Sequence, residues 1–114
     1  MKAEEIAHLA VEVAAKNQAN GIVMLDVERI CSFADYFVIC NGDSQRQMEA
    51  IWRGITDELK QSGVRSHHSE GSSISGWLLA DFGSVIVHVF APAERDYYQL
   101  DRLWEEATPV VRIQ

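Results

Sequence analysis

The sequence predicts an α/β fold: a single-domain mixed β-sheet flanked by helices. Three observations carry this. The chain has 114 residues, enough for one proper core and too few for two. Its apolar runs are short and rich in β-branched residues, the mark of strands covered on both faces. These runs alternate with amphipathic stretches in the order helix, two strands, helix, two or three strands, helix, which places helices against a mixed sheet. No repeat, low-complexity tract or linker divides residues 1–114.

Each element has its own reason. Ile6, Leu9, Ala10 and Val13 follow helical spacing, so a first helix is predicted from Ala3 to Gln18, stopped by Asn20-Gly21. Ile22-Val-Met-Leu25 and Tyr36-Phe-Val-Ile-Cys40 are continuous apolar runs and are predicted as buried strands, with a polar break from Glu28 to Ser32 between them. Asn41-Gly42-Asp43 is a turn cluster. Ser44 followed by Gln47 spells a capping box, and Met48, Ile51, Trp52, Ile55 and Leu59 make the stripe of a second helix closed by Gly63. From Val64 to Gly76 the chain is Ser/Gly/His-rich and is predicted as a loop, with room for a short edge strand near Val64. Gly76–Phe82 and Ser84–Phe90 are predicted to form a hairpin around Gly83. Pro92 suits the first turn of a last helix reaching about Ala107, after which Pro109 leaves a short Val-Val-Arg-Ile tail.

Composition narrows the function. Apolar residues make up 47% and charged residues 24%, ordinary for a globular protein. The apolar runs are too short to span a bilayer, and the N-terminus shows no secretory signal, so a cytoplasmic location without membrane partners is expected. Cys31 and Cys40 are then expected as free thiols. Seventeen carboxylates against ten Lys/Arg give a net charge of −7. This repels phosphate backbones, and no basic run offsets it, so direct nucleic-acid binding is not expected. A basic protein partner would suit the charge, although an acidic excess also simply aids solubility.

Several clusters imitate chemistry without completing it. Asp81-Phe82-Gly83 matches a kinase tripeptide in letters, but the Gly-rich loop and catalytic loop are missing, and a hairpin turn accounts for Gly83. His67, His68, His88, Cys31 and Cys40 lack the short spacing of a zinc site, so no metal is expected. The Asn41–Ser44 turn before a helix could present N–H groups to a phosphate, and a nucleotidyltransferase-like enzyme is the alternative reading. Such chemistry needs clustered carboxylates for divalent metal, whereas Val64-Arg-Ser-His-His68 carries none. No nucleophile motif occurs either, so neither catalysis nor a cofactor is expected.

The stretch from Trp77 to Trp104 is different. In a strand Trp77, Leu79 and Asp81 share one face, and Leu78, Ala80 and Phe82 the other. With Phe82-Gly83 as a two-residue loop, Trp77 is predicted opposite His88 and Asp81 opposite Ser84. On the last helix Tyr97, Leu100, Trp104 and Ala107 follow the core spacing, with Leu103 beside them, while Tyr98 falls on the other side. Such an aromatic surplus is typical of the anchors of a protein–protein contact.

At these residues the chain resembles the Iojap family, the ribosomal silencing factors. The resemblance runs through Ala34-Asp-Tyr-Phe-Val-Ile39, Gly42, Ser44-x-x-Gln47 and Glu70-Gly71. It continues through Trp77-x-x-x-Asp81-x-Gly83, Val87-His-Val-Phe90 and Arg95-x-x-Tyr98-x-Leu100-x-x-Leu103-Trp104. It implies a nucleotidyltransferase-like fold without catalytic carboxylates, across a domain spanning residues 1–114. It also implies a translational repressor that binds ribosomal protein fourteen of the large subunit, sterically blocks joining of the small subunit when nutrients are scarce, and forms a homodimer. The contact residues so implied are Trp77, Asp81, Tyr98 and Leu100, with His88 and Arg95 beside them. A plain dimeric scaffold without a ribosomal target is the remaining non-enzymatic reading.

Overall fold

The computed structural model describes residues 1–98 and 105–113, apart from the side chains of Tyr97 and Tyr98. In chain order the elements are α1 (Ala3–Lys16), β1 (Asn20–Asp26), β2 (Tyr36–Asn41), α2 (Gln45–Gln61), β3 (His68–Ser72), β4 (Trp77–Asp81), β5 (Val85–Phe90), α3 (Pro92–Tyr98) and β6 (Thr108–Ile113). The strands form a six-stranded sheet in the order β3-β4-β5-β2-β1-β6. β2 and β5 run parallel and the other neighbouring pairs antiparallel, so the sheet is mixed and flanked by helices, as predicted.

The helices form where their signals stand. α1 buries Ile6, Ala10 and Val13 as predicted, together with Ala7, Val11 and Ala14. It gives way to Gln18, whose φ of 62° no right-handed helix accommodates. The Ser44 hydroxyl accepts the Gln47 N–H at 3.1 Å and opens α2. The Gln47 carboxamide reaches one residue further back than predicted and accepts the Asp43 N–H at 2.7 Å. Met48, Ile51, Ile55 and Leu59 are buried beneath α2, and Trp52 stays half-buried at the margin of the stripe.

α1 and α2 cover one face of the sheet, packing on Ile22, Met24, Val38, Cys40, Leu78, Ala80, Val85, Val87 and Val89. Strand alternation sends Val23, Leu25, Phe37, Ile39, Ile86 and Phe90 to the opposite face. There they form a second core with Val27, Cys31 and Ala34 from the β1–β2 connection and with Ala107.

Three expectations need correction. The polar stretch after α2 contains a true edge strand, lying at His68–Ser72 rather than near Val64. All five of its residues are exposed, so it carries no alternating pattern to read. Gly71 is required in it: its φ is +85°, and a Cβ there would overlap the carbonyl oxygen of Trp77 on the paired strand. The tail expected after Pro109 is β6, an edge strand on β1. Proline is tolerated there because an edge strand has unpaired N–H positions, and Pro109 sits beside a register irregularity opposite Leu25. The last helix does not reach Ala107, since Glu105 and Glu106 form a turn and Ala107 a bend.

Candidate functional site

The β4–β5 hairpin builds the site. Its turn falls one residue later than predicted. The Phe82 N–H donates to the Val85 carbonyl at 2.8 Å, so Gly83 and Ser84 form the two-residue loop. The Asp81 carboxylate accepts the Gly83 N–H at 2.7 Å and closes it. Trp77 therefore pairs with Phe90 rather than with His88, and Asp81 with Ile86 rather than with Ser84. A slip of two residues keeps every side chain on its face. Trp77 and His88 still share one, now as diagonal neighbours.

Trp77 is half-buried. Its ring stacks on Phe90, with centroids 5.0 Å apart and planes 29° apart. The indole N–H donates to Nδ1 of His88 at 3.2 Å. Glu70, Gly71, Ser75 and Leu79 line a hollow of about 180 Å³ beside the indole. His88 itself is only 4% exposed. The Phe37 ring meets it edge-on at 5.2 Å, and Phe90 lies nearly parallel to it at 6.1 Å. Burial disfavours the charged imidazole and pushes its pKa down to about 4. The ring is therefore neutral at physiological pH. Because an indole N–H can only donate, Nδ1 must carry the lone pair and Nε2 the proton. Among the described residues that buried Nε2 has no hydrogen-bond partner.

The remaining candidates take different places. Asp81 stands half-buried at the hairpin end, its carboxylate tied to the turn and its carbonyl accepting the His67 N–H at 2.7 Å. Arg95 points inward: its guanidinium donates to the Gly21 carbonyl and, at 2.8 Å, to Asn41 Oδ1, clamping α3 onto the ends of β1 and β2. The expectations for the Tyr98 side chain and for Leu100 lie outside the described residues. Trp77, Asp81 and His88 thus share a sheet face, and Arg95 is drawn into the scaffold behind it.

Two features of this face escaped the sequence. Phe33 is 62% exposed, with its ring 6.4 Å from Phe37. Its position in the connection between β1 and β2, just after the polar break, was the available signal, since a phenylalanine there has no helical or strand face to fill. Phe90, read as hairpin core, is the platform on which Trp77 stacks.

The Asn41–Ser44 turn is occupied by its own chain. The Gly42 N–H goes to the Phe90 carbonyl at 2.9 Å and the Asp43 N–H to Gln47, while the Asp43 carboxylate holds the Asn20 amide at 3.1 Å. A phosphate cradle needs such donors free. Among the described residues no three His, Cys, Asp or Glu side chains gather to hold a metal ion, and His68 instead meets Glu70 at 2.9 Å. Cys31 and Cys40 are both buried free thiols. Burial pushes the Cys40 thiol up to about 12, and it donates weakly to the His88 carbonyl at 3.8 Å. No helix among the described residues is long and apolar enough to cross a membrane.

Comparison with known proteins places this geometry in a family. Residues 1–114 match the family described as "Ribosomal silencing factor during starvation". The chain is 40% identical over 107 residues to ribosomal silencing factor RsfS of Bacillus subtilis, covering 94% of this chain and 91% of that protein. It is 31% identical to the mouse protein named mitochondrial assembly of ribosomal large subunit protein 1, covering 84% of this chain and 43% of that one. A crystal structure of a Chromobacterium violaceum protein superposes with a TM-score of 0.88 at 37% identity, covering 92% of this chain and 88% of the other. The chain belongs to the ribosomal silencing factor family.

Proposed function

We propose that this protein represses translation by docking on a large-subunit ribosomal protein, the fourteenth of that subunit, and covering the surface that the small subunit must meet. The role is regulatory and ribosome-associated, in keeping with the family. The finer reading is supported above all by Trp77. A large aromatic is held half-buried by a stack and a hydrogen bond at the edge of a shallow hollow, the arrangement of an interface anchor rather than of a core residue. The mouse relative's name refers to assembly of the large ribosomal subunit, which favours that subunit as the target. A net charge of −7 suits a basic ribosomal protein as partner.

The mechanism is occlusion. A contact of about 800 Å² per partner suffices to hold a domain in place, and a bound domain excludes the other subunit by its bulk. No bond is made or broken. Asp81 supplies negative charge on the same sheet face as the anchor, at the other end of β4, while Tyr98 and Leu100 extend the contact. The setting is cytoplasmic, and the free protein is a homodimer. The test is co-sedimentation with isolated ribosomal subunits. Pelleting with large subunits and not with small ones, together with loss of subunit joining, is the expected result. Equal recovery with both, or none with either, would overturn the reading in favour of a scaffold without a ribosomal target.

A further inference from the structure

We propose that His88 is a positioning residue: its Nδ1 lone pair locks the Trp77 indole in the orientation that a partner meets, so that His88 governs affinity without touching the partner. This rests on Trp77 being the anchor, as proposed above, and assigns His88 a role other than direct contact.

Three observations carry it. First, His88 is only 4% exposed, so a docked protein cannot reach its ring. Second, the stack on Phe90 fixes the plane of the Trp77 indole but not its direction, because a stacking platform has no polar axis. The bond from the indole N–H to Nδ1 supplies that direction at 3.2 Å. The imidazole can do so because it is itself clamped, edge-on by Phe37 and nearly face-on by Phe90. Third, packing alone does not explain an imidazole here. Its strand neighbours Leu79 on β4 and Ile39 on β2 are aliphatic. Among the described residues its Nε2–H is buried without a partner, an arrangement that destabilises the fold. A leucine would fill the site without that penalty. A destabilising group kept in a core calls for a use, and orienting the neighbouring indole is the use its geometry offers. The lowered pKa has burial as its cause, and the rings and aliphatic side chains named here bring no charge to the imidazole. The ring thus stays neutral, which leaves Nδ1 free to accept the indole N–H.

The test uses the full chain with Trp77→Ala, Trp77→Phe, His88→Leu, the double variant Trp77→Phe/His88→Leu, and His88→Asn. Affinity for isolated large ribosomal subunits and solvent exchange of the Trp77 indole proton in the free protein are both measured. His88→Leu is expected to melt no lower than the parent, to exchange its indole proton faster, and to bind about fivefold more weakly through lost pre-organisation. His88→Asn, whose side-chain carbonyl stands close to the place of Nδ1, should restore most of the affinity. In the Trp77→Phe background, which has no N–H to orient, His88→Leu should change nothing further. Parent-like affinity or parent-like indole exchange in His88→Leu would overturn the proposal, as would an equal loss in the Trp77→Phe background. Should the leucine variant fail to fold, His88→Asn decides: retained exchange protection and affinity support the role, and loss of both in a folded protein refutes it. If Trp77→Ala binds subunits as the parent does, the anchor reading fails and this proposal falls with it. If Trp77→Ala loses binding and His88→Leu does not, only the positioning role falls.

Discussion

The two faces of the sheet are built on different terms. Beneath α1 and α2 the strands present Ile22, Met24, Val38, Val85, Val87 and Val89, and the helices answer with Ile6, Met48, Ile51 and Ile55. That layer is mostly aliphatic, with Phe82 buried in it and the Trp52 indole at its margin, and the Cys40 thiol is held neutral by burial. On the other face, across β2, β5 and β4, Phe37, His88, Phe90 and Trp77 form a chain of ring contacts. That layer sets an imidazole in its core, whose Nε2–H, like the Trp52 indole N–H at the margin of the helical side, has no partner among the described residues, and it leaves Trp77 and Phe33 reachable from solvent. The difference shows where stability is generated and where some of it is forgone. Aliphatic packing needs only volume. The aromatic face needs particular atoms in particular directions, which is what recognition demands and stability does not.

The contrast can be broken most forcefully from the aliphatic side. Ile51 is fully buried beneath α2, and Ile51→Ala should lower the unfolding free energy by about 4 kcal/mol through lost transfer and a residual cavity. Denaturant titration measures this, and the fraction that remains folded should bind ribosomal subunits as before. An altered affinity in the folded fraction would show that the two faces are coupled.

Acid attacks the aromatic face. The pKa of His88 lies at about 4 in the fold, below its ordinary 6.5. Between those values the unfolded chain binds the proton and the fold does not. The contribution of the neutral ring is thus fully present above about pH 6.5 and is lost as pH falls towards the folded value, for a total of about 3 kcal/mol. Urea titrations from pH 7 down to 4 should show this slope, and His88→Leu should remove the part that belongs to the imidazole.

Trp77→Ala separates the faces by function: about 2 kcal/mol or more of subunit binding should vanish, with a smaller effect on melting because the indole is half-exposed. Binding isotherms and melting curves recorded on one preparation settle which change is larger. The smallest effect belongs to charge. Asp81→Asn keeps an oxygen for the Gly83 N–H while removing the negative charge. Association at low salt should slow about twofold and converge with the parent at high salt. A stopped-flow series across ionic strength reads this directly.

How much of this was visible in the sequence follows the same division. α1, α2, β1, β2 and the β4–β5 hairpin announce themselves through helical period, caps or unbroken apolar runs, because burial imposes an apolar pattern on whatever it covers. β3 and β6 are edge strands with mostly exposed side chains, and exposure erases the pattern. Pro109, a breaker by local rules, lies inside β6. Trp77 and Asp81 were legible as one face of a strand. The indole–imidazole bond was not, because it depends on a two-residue shift set by whether Gly83 comes first or second in its turn. The inward role of Arg95 was hidden for another reason: its acceptors, the Gly21 carbonyl and the Asn41 amide, are distant in sequence and carry no signal that announces an arginine.

The place of β6 at the far side of β1 also bears on how the chain comes to be folded. β1 is made early, yet one of its two hydrogen-bonding edges is completed only by residues 108–113. During synthesis α1, β1, β2 and α2 can gather while that edge stays open, and an open edge is a template for any extended segment nearby. Closure across so long a loop is slow compared with local helix formation. The growing protein thus passes through an interval in which the edge of β1 is adhesive, and the arrival of β6 replaces that edge with one interrupted by Pro109.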